Sequence, residues 1–370
     1  MSSVPASRPD EDRLLARARE GEQTAFTELV QAHRAALHAH CYRMLGSVDD
    51  AEEALQEAML RAWRGVGRFE GRSSLRSWLY TIATNTCLDQ IQQRARRILP
   101  ADLGPPSVLG TPPGEPVVES VWIEPYPDEE LGSAGAMAVP EARYEAREAV
   151  ELAFIAALQH LPGTQRAVLI LREVLAFSAR EVAEALHTSV ASVNSALQRA
   201  RTTVAARVPE RSQQATLRAL GEESVREIVD RYVEAWERND VEAFTSMLAE
   251  EASVAMPPLA SWYRGREAIA RWARDWPLSG AWRWRALSTS ACAQPALGFY
   301  AWSEPDRAFR PFALNVLSLE GERVSDVTAF IARAPRASSA EAYQRYPQEA
   351  PEPALVEAFF GRFGLPGQLD

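Results

Sequence analysis

Two sets of polar side chains in this sequence have types and spacings that suit macromolecular recognition. Glu53, Gln56 and Glu57 lie opposite an apolar stripe of the helix predicted after Ser47, so this face must meet water or a partner. A second predicted helix, Val190 to Arg201, points small, amide and arginine side chains outward, and a DNA major groove accepts and reads such side chains. These outward side chains are Ser192, Asn194, Ser195, Gln198 and Arg199.

This second helix belongs to a helix-turn-helix pattern. Ser178 is predicted to cap the preceding short helix, and Glu181 three residues later completes a capping box. Residues 187–189 form the turn, and apolar residues of the two helices are spaced to pack between them. The pattern is typical of a module that places its second helix in the major groove.

Arginines are concentrated in one stretch of the chain. All 40 basic residues are arginine and the net charge is −10, which argues against a uniformly basic nucleic-acid coat. Between Arg61 and Arg97, however, eight arginines face only two acids, whereas residues 101–145 carry nine acids and one arginine. A basic helical segment followed by an acidic linker favours local phosphate contact. The arginines nearest the predicted helix are Arg72, Arg76, Arg94, Arg96 and Arg97.

Periodicity and composition divide the chain into five blocks and predict a multidomain protein. They are an all-α domain at 10–100, an acidic Pro/Gly linker at 101–143, a second all-α domain at 144–208, an α+β domain at 222–335 and a tail at 336–370. In the first block, a helix is predicted from Leu75 to about Arg97. In the fourth, helices precede five strand-like runs, which predicts a mostly antiparallel sheet wrapped on the helices.

Two apolar segments lie where they cannot form a core of their own. Trp122 and Pro125 belong to an apolar island within the acidic linker, and Phe363 and Leu365 belong to an aromatic cluster in the tail. An apolar patch on a linker seeks a partner surface, and segments of one chain meet at high effective concentration. We therefore expect the island to dock on the fourth block and the tail.

Several classes of protein are excluded or disfavoured by what the sequence lacks. No apolar run approaches the ~18–20 residues that span a bilayer, and residues 1–10 have no apolar signal region. The three cysteines are far apart and odd in number, so a disulfide scaffold and a CxxC zinc site are not expected. The expectation is a reduced, cytoplasmic protein without metal, cofactor or catalytic residues.

The fourth block contains aromatic residues that suit either a core or a small-molecule pocket. The candidate pocket residues are Met256, Trp262, Tyr263, Trp284, Tyr300 and Phe312. No histidine follows His187, so a His-Asp dyad is excluded there. Asp240 is better explained as a helix cap than as a base.

In these residues and their spacing, the chain resembles the sigma-70 family of bacterial sigma factors, and within it the extracytoplasmic-function (ECF) group. Residues 50–57 with Arg61-Ala62-Trp63 resemble region 2.2, and residues 74–85 resemble regions 2.3 to 2.4. Residues 161–168 with Arg199-Ala200-Arg201 resemble region 4. Residues 256–258 and 262–265 resemble the SnoaL-like extension of the SigG-type subgroup, as do parts of the linker and tail.

The resemblance implies roles for the residues already singled out. It implies two all-α sigma domains, the second a helix-turn-helix, and a C-terminal α+β SnoaL-like domain of cystatin-like cone fold. Asp50, Glu53, Gln56 and Glu57 would bind core RNA polymerase, whose β′ clamp and β flap are the implied partners. The arginines, with Asn85, would contact the minus-10 element, and the outward face of the second helix would read minus-35. The acidic linker would thread the RNA channel.

Two alternatives stay open from sequence. One is a stand-alone helix-turn-helix regulator that never joins polymerase, for which the Glu53, Gln56 and Glu57 face has no use. The other is a bifunctional protein whose C-terminal domain binds or converts a small molecule. Two departures from the family pattern are Ala176 and His187, which stand where glycine is usual.

Overall fold

The structure, a computed structural model, describes residues 8–108, 110, 116–117, 121–134, 147–332 and 353–370. Its contacts divide the chain into two units, each built from two segments. The first unit comprises residues 1–97 and 129–210, and the second comprises residues 98–128 and 211–370. The first part of the predicted linker therefore folds with the C-terminal part of the chain.

The first unit begins with four helices. They are α1 (Arg8–Arg19), α2 (Gln23–Leu45), α3 (Val48–Gly65) and α4 (Leu75–Gln93). Leu37, Leu55 and Leu79 are fully buried where α2, α3 and α4 pack together. Ser47 caps α3 as predicted, because its hydroxyl accepts from the Asp50 backbone N–H at 3.1 Å. The prediction that the last helix reaches about Arg97 is wrong, because Arg94 is already extended, at φ −119°.

Shorter helices follow in chain order. They are α5 (Asp128–Ala134), α6 (Leu152–Gln159), α7 (Gly163–Leu169), α8 (Ala179–Ala185) and α9 (Val190–Ala205). The capping box at the start of α8 is confirmed, since Ser178 and Glu181 exchange backbone and side-chain hydrogen bonds. Ala176 and His187 have φ angles of 56° and 50°, so both non-glycine residues adopt the left-handed conformation.

A six-stranded sheet forms the centre of the second unit. Its strands are β1 (Leu248–Ala255), β2 (Trp262–Arg264), β3 (Trp284–Ala291), β4 (Gln294–Ser303), β5 (Ala308–Glu320) and β6 (Arg323–Ile331). The order across the sheet is β2-β1-β6-β5-β4-β3. β1 and β6 are parallel, and the other neighbouring strands are antiparallel. The predicted meander therefore holds from β3 to β6, while β1 is inserted beside β6.

Helices cover the two faces of this sheet differently. One face packs on α10 (Gln213–Leu220), α11 (Glu222–Glu237), α12 (Val241–Ser246) and α13 (Arg266–Asp275). Asp240 caps α12 as predicted, accepting from the Ala243 N–H at 2.8 Å. The other face receives the tail helix α14 (Pro353–Gly361), whose Phe360 ring lies 5.3 Å from Tyr300. Because successive strand residues alternate between faces, Phe299 belongs to the first face and Tyr300 to the second.

Candidate nucleic-acid interface

The outward face of α9 is open along its length. Ser189 begins the helix by accepting from the Ser192 backbone N–H at 3.1 Å. Val193, Leu197 and Ala200 are buried on the opposite side. The candidate minus-35 residues are all exposed, namely Ser192, Asn194, Ser195, Gln198 and Arg199. This face therefore meets the steric requirement for entering a major groove without rearrangement of the helix.

The short helix α8 is fixed by local hydrogen bonds. The Glu181 carboxylate accepts from the Ser178 backbone N–H at 2.8 Å, and this bond holds the pKa of Glu181 below its ordinary value. Glu181 also accepts from the Ser77 hydroxyl at 3.2 Å, so α8 is linked to the start of α4.

The acidic face of α3 is open, except at its first member. Glu53 and Gln56 are exposed, and Glu57 is half-buried and accepts from Arg61 at 2.8 Å. Asp50, in contrast, is only 9% exposed, because Arg94 and Arg97 each donate to one of its two carboxylate oxygens. The expectation that the Asp50 carboxylate is exposed to a partner is therefore corrected, because in this structure two arginines cover it.

The arginines assigned to the minus-10 element differ in availability. Arg72 is exposed beside Glu70, and Arg96 is exposed with its Nη1 3.1 Å from His160 Nδ1. Arg97 is buried on Asp50, and Arg94 bridges Asp50 and Glu53. Asn85 is half-buried in α4. Arg97 is thus not free to contact phosphate, and this part of the prediction is corrected.

Arg76, another candidate minus-10 residue, is engaged by the helix-turn-helix part of the same unit. Its Nη2 donates to the Leu175 carbonyl at 3.0 Å. Its guanidinium lies 4.5 Å from the centre of the Phe177 ring and 5.2 Å from that of Tyr80. Two aromatic faces and a carbonyl hold this cation, and such contacts strengthen when they are partly desolvated.

Arg166 is a buried residue that the sequence analysis did not single out. It is 4% exposed and donates to the backbone carbonyls of Met44, Gln159 and Leu161 and to the Gln159 side chain. Burial lowers the pKa of Arg166 to about 10. Helical periodicity does not predict that Arg166 is buried. The only sequence feature that could have indicated its role is its position shortly after Leu161-Pro162-Gly163.

The second unit contains a small aromatic cavity between its sheet and helices. Its volume is about 20 Å³, enough for about one water molecule. Met256, Trp284 and Phe312 line it, as predicted, together with Tyr232, Trp236, Trp272 and Trp276. None of the residues lining this cavity, all of them described, is acidic, basic or histidine. Tyr232 is the one titratable side chain among them, and burial raises its pKa above the ordinary value.

Three predicted pocket residues lie elsewhere. Trp262 donates through Nε1 to the Gly104 carbonyl at 2.9 Å, so it holds the linker. Tyr263 stacks on Trp272 with 5.7 Å between ring centres, behind the cavity wall. Tyr300 lies on the opposite face of the sheet and donates to the Pro366 carbonyl at 2.9 Å. Assignment of these residues to the pocket was wrong, because both faces of the sheet are apolar.

The apolar island of the linker is part of the second unit and packs near its β3–β4 turn. Trp122 donates to the Val117 carbonyl at 3.1 Å, and Pro125 is buried. Tyr126 is fully buried and exchanges hydrogen bonds with Cys292, which lies in the turn between β3 and β4. This turn has two residues at positive φ, Cys292 at 57° and Ala293 at 56°, and the linker holds both of them.

The tail contacts the two strands of the same hairpin. Thr289, in β3, donates to the Phe363 carbonyl at 2.8 Å. Leu365 packs on Gly298 in β4, where an added Cβ would lie 2.5 Å from its Cδ1, so a larger residue at this position would displace the Leu365 side chain. Linker and tail therefore both bind the β3–β4 hairpin.

Comparisons with known proteins agree with this architecture. The family models that match are Sigma-70 region 2 at residues 29–97, Sigma-70 region 4 at 151–204 and a SnoaL-like domain at 229–327. The first unit thus contains the two conserved domains of a sigma factor, and the second a SnoaL-like domain.

The chain belongs to the ECF sigma factors of the sigma-70 family. It is 42% identical over 316 residues to the ECF RNA polymerase sigma factor SigG of Mycobacterium tuberculosis, covering 85% of this chain and 82% of that protein. It is 29% identical over 188 residues to the ECF RNA polymerase sigma-E factor of Escherichia coli, covering 51% of this chain and 88% of that one. The crystal structure of Mycobacterium tuberculosis SigJ shares the fold, with a TM-score of 0.54, 21% identity, and coverage of 85% of this chain and 98% of SigJ.

Metal-binding clusters and membrane-spanning helices are both absent from the described ranges. No group of three or more histidine, cysteine or acidic side chains there is placed to hold a metal ion. Among those same residues, no helix is both long and apolar enough to cross a membrane.

Proposed function

We propose that this sigma factor binds core polymerase through the exposed acidic face of α3, formed by Glu53, Gln56 and Glu57. The observation that carries the assignment is that these side chains reach solvent while the apolar stripe behind them is buried. An acidic face complements a basic partner surface, which on this proposal belongs to the β′ clamp, and charge complementarity sets both orientation and rate of association. A repressor that works alone has no use for such a face.

We assign promoter reading to two further surfaces. The open face of α9 reads base edges of the minus-35 element, since amide and arginine side chains there can form paired hydrogen bonds. Arg76 at the start of α4, and Arg94 and Arg96 after its end, bind the minus-10 region, in part through phosphate. These two surfaces bind elements ~80 Å apart, at about 3.4 Å per base pair for ~25 base pairs.

Productive binding then requires the two sigma domains to separate. Arg76 bonds Leu175 and Ser77 bonds Glu181, so a minus-10 surface and the helix-turn-helix part lie in direct contact. Residues in contact cannot also occupy DNA elements many nanometres apart. The described arrangement is therefore the resting state, and polymerase and promoter binding selects an opened one.

The C-terminal domain regulates this opening through the linker. Covalent connection between the two sigma domains passes through residues 98–128, which fold with the second unit. Docking of Tyr126 and Asp128 on the β3–β4 hairpin shortens the tether that separation needs. The tail packs on the same hairpin and supports it. Releasing either the linker or the tail therefore lengthens the tether between the two sigma domains. The described part of the linker is thus held on this domain, rather than extended for the RNA channel.

The test is run-off transcription with core polymerase on a random promoter library. We expect deletion of residues 350–370 to raise transcription severalfold, without changing the affinity of the first unit for core enzyme. Trp122→Ala should act in the same direction, and combining the two changes should add little, because both loosen one interface. Glu320→Arg, on an exposed strand end of the same domain, is the matched control. Fully additive effects, or no effect of either change, would contradict the shared interface.

A second candidate function concerns the aromatic cavity. The indole N–H groups of Trp236, Trp272 and Trp276 find no acceptor among the described residues. Unmet buried donors favour binding of an uncharged molecule with acceptor oxygens, such as a flat carbonyl compound. Because the cavity is small, half-buried Trp276 must move aside on binding.

Quenching of intrinsic fluorescence by naphthoquinone tests this binding function. We expect saturable quenching in the unaltered chain and weaker quenching in Trp236→Phe, which removes one donor and keeps a ring. Trp302→Phe is the matched control, since Trp302 is not one of the residues that line the cavity. Equal quenching in all three proteins would rule out the cavity as the binding site.

A further inference from the structure

A second, basic cavity lies within the first unit, between the end of α4 and the turn that joins α6 to α7. Its volume is about 290 Å³. Arg94, Arg96 and Arg97 line one wall and Arg166 the other, and Asp50 is the single acid among the lining residues, all of which are described. Four guanidinium groups therefore surround a space with one carboxylate.

The charges in this cavity are not balanced. Both oxygens of Asp50 are taken by Arg94 and Arg97, and Arg94 also bonds Glu53 at 2.7 Å. Arg166 is held by neutral oxygens, including Gln159 Oε1 at 2.6 Å, and no carboxylate of the described residues pairs with it. A buried guanidinium without an anion is costly, and an anion that enters beside it removes part of that cost.

Two residues of the same wall carry unmet hydrogen-bond donors, both of them closed to water in this arrangement. Arg166 Nε and Gln159 Nε2 have no acceptor in the part of the chain that the structure describes. Arg166 is 4% exposed and Gln159 2% exposed, so bulk water does not serve them. Gln159 Oε1 accepts from Arg166, and this bond fixes which end of the amide carries the free N–H groups. Two oriented donors and a positive field are the elements of an oxyanion site.

We propose that this cavity binds a small free anion of the phosphate class, with pyrophosphate as its representative. Guanidinium groups match the spacing of phosphate oxygens and form two charge-assisted bonds at once. Arg166 Nε and Gln159 Nε2 bind one phosphoryl group, and exposed Arg96 binds the other at the mouth of the cavity. The side-chain oxygen of Gln90 has no donor among the described residues. If the Gln90 side-chain amide turns over, its NH₂ group takes the place of this oxygen and donates a further N–H to the anion.

Occupancy has a consequence for the resting state. Arg96 follows the region 2 helix α4, whereas Gln159 and Arg166 belong to the region 4 helices α6 and α7. An anion held by both parts stabilises their contact, because it binds the packed arrangement better than a separated one. Free pyrophosphate therefore favours the resting state.

Isothermal titration calorimetry of the full chain with sodium pyrophosphate, at fixed ionic strength, tests the site directly. We expect one saturable binding event per chain, weakened about tenfold or more in Arg96→Gln and in Gln159→Leu, as befits loss of a charge-assisted bond. Arg64→Gln, an exposed arginine on α3 outside the cavity, is the matched control and should bind as the unaltered chain does. Circular dichroism verifies that each variant is folded.

Three results would overturn the site. They are equal heats for sodium sulfate and sodium pyrophosphate with no saturation, equal binding by Arg96→Gln and Arg64→Gln, and binding of random-sequence duplex DNA without any binding of pyrophosphate. Arg96 is exposed, so its variant keeps the test valid even if Gln159→Leu fails to fold. The experiment uses neither polymerase nor promoter, so its failure leaves the proposed function untouched.

Discussion

The two proposed DNA-reading surfaces of the first unit differ in how many of their side chains already bond to other parts of the chain. On α9, all five candidate minus-35 side chains are exposed. At the start of α4 and beyond its end, Arg76, Arg94 and Arg97 are held by other parts of the chain. One surface can bind as it stands, whereas the other must first give up internal contacts. The two surfaces therefore differ in whether their side chains are available for binding, rather than in residue type.

The internal contacts of α4 also join surfaces with different proposed partners. Arg94 pairs with Glu53 of the acidic α3 face, so a DNA-binding candidate and a polymerase-binding candidate neutralise one another. A partner that takes Glu53 removes one of the two carboxylates that hold Arg94, which favours the order polymerase first and promoter second. Ion pairs of this half-exposed kind contribute little stability, so exchanging them is easy.

The largest expected effect is on polymerase binding. Glu53→Arg with Glu57→Arg replaces attraction by repulsion across the interface and should weaken binding of core enzyme by about 100-fold or more. Co-purification and calorimetry with core polymerase measure it, and circular dichroism should show an unchanged fold. Glu320→Arg with Glu322→Arg, both exposed on the second unit, is the charge-matched control. Undiminished co-purification would remove α3 from the interface.

The next effect distinguishes the two reading surfaces by specificity. Gln198→Ala should cost ~1–3 kcal/mol at one base pair of the minus-35 element and leave other positions unchanged. Arg96→Gln should instead weaken binding of all sequences and lower the dependence of affinity on salt, as loss of a phosphate contact does. Anisotropy titrations at several salt concentrations measure both variants. If they behave alike, the division between base reading and phosphate binding is wrong.

A smaller effect tests the contact between the two sigma domains. A Cβ at Gly163 would lie 3.1 Å from Leu88 Cδ2 and 3.4 Å from Ile91 Cγ2, so Gly163→Val crowds α7 against α4. Overpacking of this kind should lower the free energy of unfolding by ~1–3 kcal/mol and speed amide exchange in both helices. Gly67→Val, whose added Cβ meets only Arg19 O at 3.8 Å, is the control. Equal exchange in both variants would mean that α4 and α7 do not hold one another.

The smallest effect is a dependence on pH at Glu181. Its pKa in the folded chain is below the ordinary 4.5, so its contribution to stability is present above about pH 4.5 and is lost as pH falls through the folded value. Glu181→Gln should therefore cost a few tenths of a kcal/mol at pH 7, since the group is largely exposed, and less at pH 3. Chemical denaturation at the two pH values measures the difference. A constant difference between them would assign the effect to shape rather than charge.

Local features of this chain could be predicted from sequence because their causes are local. The caps at Ser47, Ser178 and Asp240 each depend on a hydrogen bond to a residue three positions ahead. The exposed face of α9 follows from helical periodicity in the same way.

Features that depend on contacts between distant segments could not be predicted. Asp50 is buried because Arg94 and Arg97, more than 40 positions later, turn back onto it. Arg166 is buried because region 4 helices pack on the end of α2. The side chains of Phe299 and Tyr300 point to opposite faces of the sheet, as expected for neighbouring strand residues. Because both faces are covered by apolar side chains, this alternation does not tell which of the two residues faces the cavity.

The bond between Tyr126 and Cys292 joins residues 166 positions apart, and this separation sets an order of events during synthesis. At ~5–20 residues per second, the β3–β4 hairpin leaves the ribosome roughly 10–30 s after the linker segment that binds it. Both sigma domains are therefore complete before their regulator exists. On the proposed function, each newborn chain has an interval in which polymerase can capture it unrestrained, and its restraint then arrives in a fixed one-to-one ratio.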